Sequence, residues 1–145
     1  MSVVTREILI ETPVEKFWDI VVDYDRYPEF VPGILGCRVL PGDGNLVEYE
    51  LDLGIKRIRY VLRHVEEPPR KLTWSLVSGE LMKVSNGSWE LRPEQGRTRA
   101  HYSVEIQIAR PPLVPQVVMD RVSDELTRVQ LPKTLEAFKA RAERG

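Results

Sequence analysis

Few side chains in this 145-residue chain can move a proton near neutral pH or attack an electrophile, so their positions decide what chemistry is open to it. His64 and His101 are its two histidines, and imidazole is the side chain that titrates near neutrality without help. His64 shares parity with Ile58, Tyr60 and Leu62 and lies near a strand end. His101 alternates with Ala100 and Tyr102 and is expected to face water. Arg57 and Arg59 fall on the strand face opposite Lys56, Ile58, Tyr60 and Leu62. In that register they are solvated charges. A bulge at Gly54 would reverse the register, turn both inward and let them hold an anionic or enolate oxygen. Arg57, Arg59 and His64 are therefore the candidate polar groups of an interior site, and no catalytic residue can be named among them.

Other nucleophile and metal chemistries find little support. The single Cys37 cannot form an internal disulfide, and with no basic helix N-terminus aimed at it a buried, inert thiol is expected. Neither it nor the histidines have the spacing that closes a metal site, and no serine–histidine–acid motif, paired carboxylates or phosphate loop is recognisable. Asp23 and Asp25 are expected to pin a corner of the chain rather than act as bases. No metal and no cofactor are expected.

The aromatic residues are a richer signal. Trp18, Trp74, Trp89, Tyr49, Tyr60 and Tyr102 combine broad apolar faces with a polar tip, which suits a ring-bearing ligand carrying a few oxygens. The candidate lining of an interior site is Phe30, Tyr49, Leu51, Ile58, Tyr60, Trp74, Leu76, Trp89, Tyr102, Val104, Ile106, Val118, Val122 and Leu126. A close-packed core is written in the same residue types, so only the fold can separate the two.

Residues 3 to 11 alternate as a strand with Val4, Ile8 and Ile10 on the inner face. Thr12 and Pro13 then read as a capping side chain and a first helical residue, opening a short helix to about residue 22. In residues 23 to 33, DYDRYPEFVPG, Tyr27 and Val31 each precede a proline, which disfavours continuing helix and predicts a broken helical turn. From 34 to 109, turn residues punctuate a stretch that holds six strands. Val47, Tyr49, Leu51 and Leu53 alternate with charged neighbours, as do Ala100, Tyr102, Val104, Ile106 and Ile108 with polar ones. That period of two marks a sheet with one covered and one wet face. After RPPLVP at 110 to 115 the period becomes helical, through Val118, Val122, Leu126 and Val129 and on to Leu135 and Phe138. Pro132 predicts a kink or break near 128 to 132.

Consecutive strands joined by short turns pair antiparallel, and only the last helix is long enough to cover them. The reading is one α+β domain over residues 1 to 145: a curved seven-stranded antiparallel sheet, two short helices after the first strand, and a long C-terminal helix. Residues far from the line where a bent sheet meets one helix cannot all touch across the gap, so a cavity is expected there.

Charge narrows the partners. Lys plus Arg number 21 against 22 Asp plus Glu, so no field steers the chain toward nucleic acid, and no nucleic-acid partner is expected. Arg6, Glu7 and Glu11 interrupt the apolar residues at the start, unlike a signal peptide. Apolar runs fall far short of the roughly 20 residues that span a bilayer. A cytoplasmic location is expected.

The corner Asp23-Tyr24-Asp25-Arg26-Tyr27-Pro28-Glu29-Phe30-Val31-Pro32 resembles the D-x-x-x-Y-P-x-F-x-P signature of the START-like (SRPBCC) superfamily, the polyketide cyclase/dehydrase and lipid transport proteins. Gly87-Ser88-Trp89-Glu90-Leu91-Arg92-Pro93 is similar to that superfamily's G-x-W-x-L-x-P strand ending, and the nearest branch is the coenzyme-Q-binding one. The resemblance implies a helix-grip fold of the START and Bet v 1 type. It also implies reversible capture of a hydrophobic small molecule such as a lipid, quinone or polyketide for transport, shielding or presentation, with a transient membrane or enzyme partner. Loading would need the long helix and the corner 24 to 33 to move, bounded by Pro111, Pro112 and Pro132. The superfamily also admits a polyketide cyclase or dehydrase, which needs an ionisable group inside the cavity, and a bacterial ribosome- or protein-interacting module, which needs a basic outer patch. Ligand identity and oligomeric state are not readable from the residues.

Overall fold

A computed structural model of the chain describes residues 2–42, 45–54, 56–109 and 113–144. Strand β1 (Ser2–Ile10) leads through helix α1 (Val14–Val21), a 3-10 turn (Tyr24–Arg26) and helix α2 (Tyr27–Phe30) into six further strands. These are β2 (Ile34–Val39), β3 (Leu46–Asp52), β4 (Arg57–Glu67), β5 (Lys71–Gly79), β6 (Met82–Glu94) and β7 (Arg97–Ile108). The sheet is antiparallel in the order β1-β7-β6-β5-β4-β3-β2, so each strand from β2 to β7 pairs with its neighbour in the chain and β1 closes on β7. Irregular register between Ile34 and Gly36, opposite Val77, and between Met82 and Val84 marks three bulges, and bulges bend a sheet and sharpen its twist. The alternation in β3 and β7 is the expected one, with Val47, Tyr49, Leu51, Ala100, Tyr102, Val104 and Ile106 buried on the concave face.

The C-terminal segment runs as α3 (Gln116–Asp124), a π-helical stretch (Glu125–Gln130) and α4 (Leu131–Glu143). Pro132 therefore neither breaks the helix nor stands alone in it. Its missing amide and its ring, which crowds the carbonyl four residues earlier, are met by widening the turn before it. The wide turn also rotates the buried stripe. Met119, Val122, Leu126, Gln130, Leu131, Leu135, Phe138 and Ala142 face inward, whereas Val118 and Val129 do not.

Thr12 does not cap α1. Pro13 occupies the cap position in extended backbone, and the Thr12 hydroxyl instead donates to the Ala142 carbonyl at 2.8 Å. Thr98 in β7 in turn donates to the Thr12 carbonyl at 2.7 Å, and all three residues are buried. This chain of bonds, with Lys139 Nζ on the Leu9 carbonyl at 2.9 Å and Glu11 N–H on Glu143 at 2.9 Å, fastens the end of α4 to the end of β1. By contrast, α3 packs chiefly on the π-helical stretch that follows it.

The corner is held from inside. The Tyr27 hydroxyl donates to the Val21 carbonyl, Asp23 pairs with Arg26 at 3.2 Å, and Gln130 donates to the Pro32 carbonyl. Gly33 sits at φ +86°, a left-handed backbone that favours glycine, against the Gln130 side-chain amide. Pro111 and Pro112 lie outside the described residues. No helix among the described residues is long and apolar enough to cross a membrane.

Candidate functional site

Between the concave face and the C-terminal helix lies a cavity of about 100 Å³. The sheet contributes Tyr49 and Leu51 from β3, Tyr60, Leu62 and His64 from β4, Leu72 and Trp74 from β5, and Trp89, Tyr102, Val104 and Ile106 from β6 and β7. Tyr27 and Ile34 come from the corner, and Leu126, Gln130, Leu131, Thr134 and Phe138 close it from the helix.

One wall is a continuous aromatic cluster. Trp89 meets Tyr102 at 4.6 Å between ring centroids, Phe138 at 5.4 Å and Phe17 at 5.5 Å, while Phe138 also contacts Tyr27 and Phe30 at 5.3 and 5.1 Å. Trp74 lies flat beside Gly87, where a Cβ would stand 2.4 Å from its ring and 2.7 Å from the Ser103 carbonyl. The glycine of the tryptophan-strand motif is thus what lets the indole lie across β6.

The polar end is built around His64. Its ring is 3% exposed, Nε2 lies 2.9 Å from the Tyr49 hydroxyl, and Tyr24 packs edge-on at 4.6 Å. Burial disfavours the imidazolium and pushes the pKa of His64 down to about 4, so the ring is neutral at pH 7. Burial likewise raises the hydroxyls of Tyr49, Tyr60 and Tyr102, which stay protonated. Tyr49 stacks on Tyr60 at 5.1 Å and 7°. Outside the cavity, Tyr24 donates to Glu66 at 2.7 Å, and burial pushes the Cys37 thiol up to about 12, as an inert thiol requires. Among the described residues no group of three or more potential metal ligands occurs.

Residues 10–133 match the family model for polyketide cyclase/dehydrase and lipid transport proteins, which is most of the chain. The chain belongs to this family. Its solved structural neighbours include a START superfamily protein from Mycobacterium smegmatis (TM-score 0.79, 18% identity, 98% of this chain and 97% of that one). The Zhui aromatase/cyclase from Streptomyces sp. R1128 superposes with TM-score 0.85 at 15% identity, covering 99% and 94%. Among curated sequences, the ribosome association toxin RatA of Escherichia coli K12 is 24% identical over 146 residues, covering 98% of this chain and 87% of the relative.

Within this family member, Tyr49, Leu51, Tyr60, Trp74, Trp89, Tyr102, Val104, Ile106 and Leu126 stand on the cavity wall, and so does His64. Others of the expected lining are elsewhere. Ile58 and Val122 are buried in the surrounding core, Leu76 is half-buried against it, and Phe30 packs between Phe138 and the Arg141 guanidinium. Val118 is 38% exposed, because the wide turn rotates α3. Arg57 and Arg59 are exposed on the convex face, where Arg59 lies 3.9 Å from Glu50. The irregularity in β4 pairing lies opposite Val77, beyond Arg59, so the register that would turn them inward does not occur. Sequence reasoning missed the helix-borne Gln130 and Thr134 and the strand residue Ser85, since an apolar period discards polar residues. Tyr27 of the corner was legible as aromatic but not as lining.

Proposed function

We propose that the protein is a cytoplasmic carrier that holds a ring-bearing hydrophobic molecule of the lipid, quinone or polyketide kind in this cavity, for transport, shielding or presentation. The observation that carries the reading is an interior space walled by Trp74, Trp89, Tyr60 and Tyr102 with a single neutral histidine at one end. At about 100 Å³ the space holds little more than one small ring, whereas pockets for drug-sized ligands run from roughly 300 to 1,000 Å³. Loading therefore requires the helix to lift. The π-helical stretch over the cavity, with its Gln130–Pro32 link to the corner, is where it yields.

A second reading has a specific support. Folding a reactive polyketone needs shape and a proton-transfer group, and His64 is an ionisable group inside the cavity, hydrogen-bonded to Tyr49. Ribosome association is less well supported by the surface. Among the described residues its paired charges alternate in sign, with Arg92 near Glu7, Arg99 on Glu94, Lys71 on Glu90 and Arg97 on Glu11.

Native mass spectrometry of gently purified protein, followed by organic extraction, tests the carrier reading. A stoichiometric adduct that leaves on denaturation is expected. Clean protein that also gains no thermal stability from lipids, quinones and polyketides would overturn it.

A further inference from the structure

The two outer strands of the sheet are protected unequally. A free strand edge offers unpaired N–H and C=O groups to any chain that can lie beside it, and proteins blunt such edges with charges, bulges or a cover. On one side β1 is blunted. Arg6 puts a charge at the parity of the inward Val4, Ile8 and Ile10, and Lys139 Nζ holds the Leu9 carbonyl at 2.9 Å. On the other side β2 pairs with β3 alone.

Leu40 N–H donates to the Leu46 carbonyl at 2.9 Å. Bonded and unbonded positions alternate along an antiparallel pair, so Arg38 opposite Glu48 and Gly36 opposite Glu50 direct their backbone groups to β3. Cys37 and Val39 therefore direct theirs off the sheet, and among the described residues no hydrogen bond answers them. Leu35 and Val39 on the same strand are exposed apolar side chains. Its one charge, Arg38, is balanced by Glu48 at 3.0 Å.

This strand is complementary to its own reverse. An antiparallel two-fold centred on Cys37 brings Val39 level with Leu35 of the second copy, and Arg38 level with Gly36 of the second copy. Gly36 has no side chain to obstruct the guanidinium, and Glu50 lies next to it, with Oε1 3.9 Å from where a Gly36 Cβ would stand. Within the chain Glu50 has only a long contact, 3.9 Å, with Arg59. Apolar thus meets apolar and positive meets negative, each twice by symmetry.

We propose that β2 is a self-association edge, at which two copies of the chain pair β2 antiparallel about Cys37 and join their two seven-stranded sheets into one. A single strand pair covers less than a standard interface, so the dimer is weak and reversible, with a Kd of about 10 μM to 1 mM.

Sedimentation velocity of the full chain across that range reads the association. Isotope-filtered NOE spectroscopy on mixed labelled and unlabelled chain reads the geometry without any variant. Gly36 and Arg38 of the other copy form the unbonded pairs of the junction, about 4.5 Å apart at Cα, so an intermolecular NOE between their Hα protons is expected. Val39→Lys, at an exposed position, should weaken the dimer about tenfold or more, whereas Val39→Ile should preserve it. A chain that stays monomeric to about 1 mM overturns the inference. So do intermolecular NOEs confined to another surface, or a dimer that Val39→Lys leaves equally tight.

Discussion

The depressed pKa of His64 makes stability depend on pH in a way that one substitution should remove. Burial lowers the imidazole from its ordinary 6.5 to about 4. Between those values the unfolded chain binds a proton that the folded chain refuses, so stability rises with pH across the window. The contribution is fully present above about pH 6.5 and lost as pH falls toward 4. At 1.36 kcal/mol per unit, the roughly 2.5-unit difference amounts to about 3 kcal/mol, a large share of an ordinary domain's stability. Carboxylates also contribute as pH falls: Glu94 is lowered by its bond to Arg99 and Glu143 by its bond to Lys139. They act equally in a variant that lacks only the imidazole. Urea unfolding of the parent and of His64→Phe, at steps from pH 7.5 to pH 4, isolates it. The parent should lose about 3 kcal/mol more than the variant over that span. Parallel pH curves would refute the reasoning, and would mean that His64 is protonated in the folded state.

Gly87→Ala should cost 3 kcal/mol or more, about the upper end of overpacking effects, because the Ser103 carbonyl and the Trp74 ring both block the new methyl; thermal melting reads this directly. Phe138→Ala should cost about 3 to 5 kcal/mol in urea, since the ring sits among Phe17, Tyr27, Phe30 and Trp89. Thr12→Val should cost about 1 to 3 kcal/mol by orphaning the Ala142 carbonyl, with hydrogen-exchange protection lost first at the end of α4. Arg59→Ala should change stability by no more than about 0.5 kcal/mol in urea unfolding, and a larger loss would contradict its placement on the exposed convex face.

The sheet and its inner face were legible because Val47, Tyr49, Leu51 and the β7 residues obey a clean period of two, and the corner because two prolines interrupt it. The START-like motifs pointed to the family for the same local reasons: Gly87 must be small beneath Trp74, and Tyr27 must reach the Val21 carbonyl. What escaped was non-local. Thr12 looks like a cap, and only the arrival of Ala142, 130 residues later, shows where its hydroxyl goes. Val118 and Val129 fit a helical stripe until the wide turn before Pro132 rotates it onto Met119 and Gln130. Hydropathy cannot show that Gln130 and Thr134 face inward, because polar residues join a cavity wall for their partners rather than for their burial.

The unequal fastening of the C-terminal helix sets an order of events for any molecule that enters. With α4 riveted to β1 through Thr12, Lys139 and Glu143, the helix is tied by hydrogen bonds at its C-terminal end, whereas α3 is held through its buried Met119 and Val122. Helix α3 follows the rim where the Leu81 and Ala109 backbones meet and Glu80 bonds to Arg59. His64 stands five residues farther along β4, about 17 Å at roughly 3.3 Å per residue. A guest that enters beneath α3 travels that length before it reaches the imidazole.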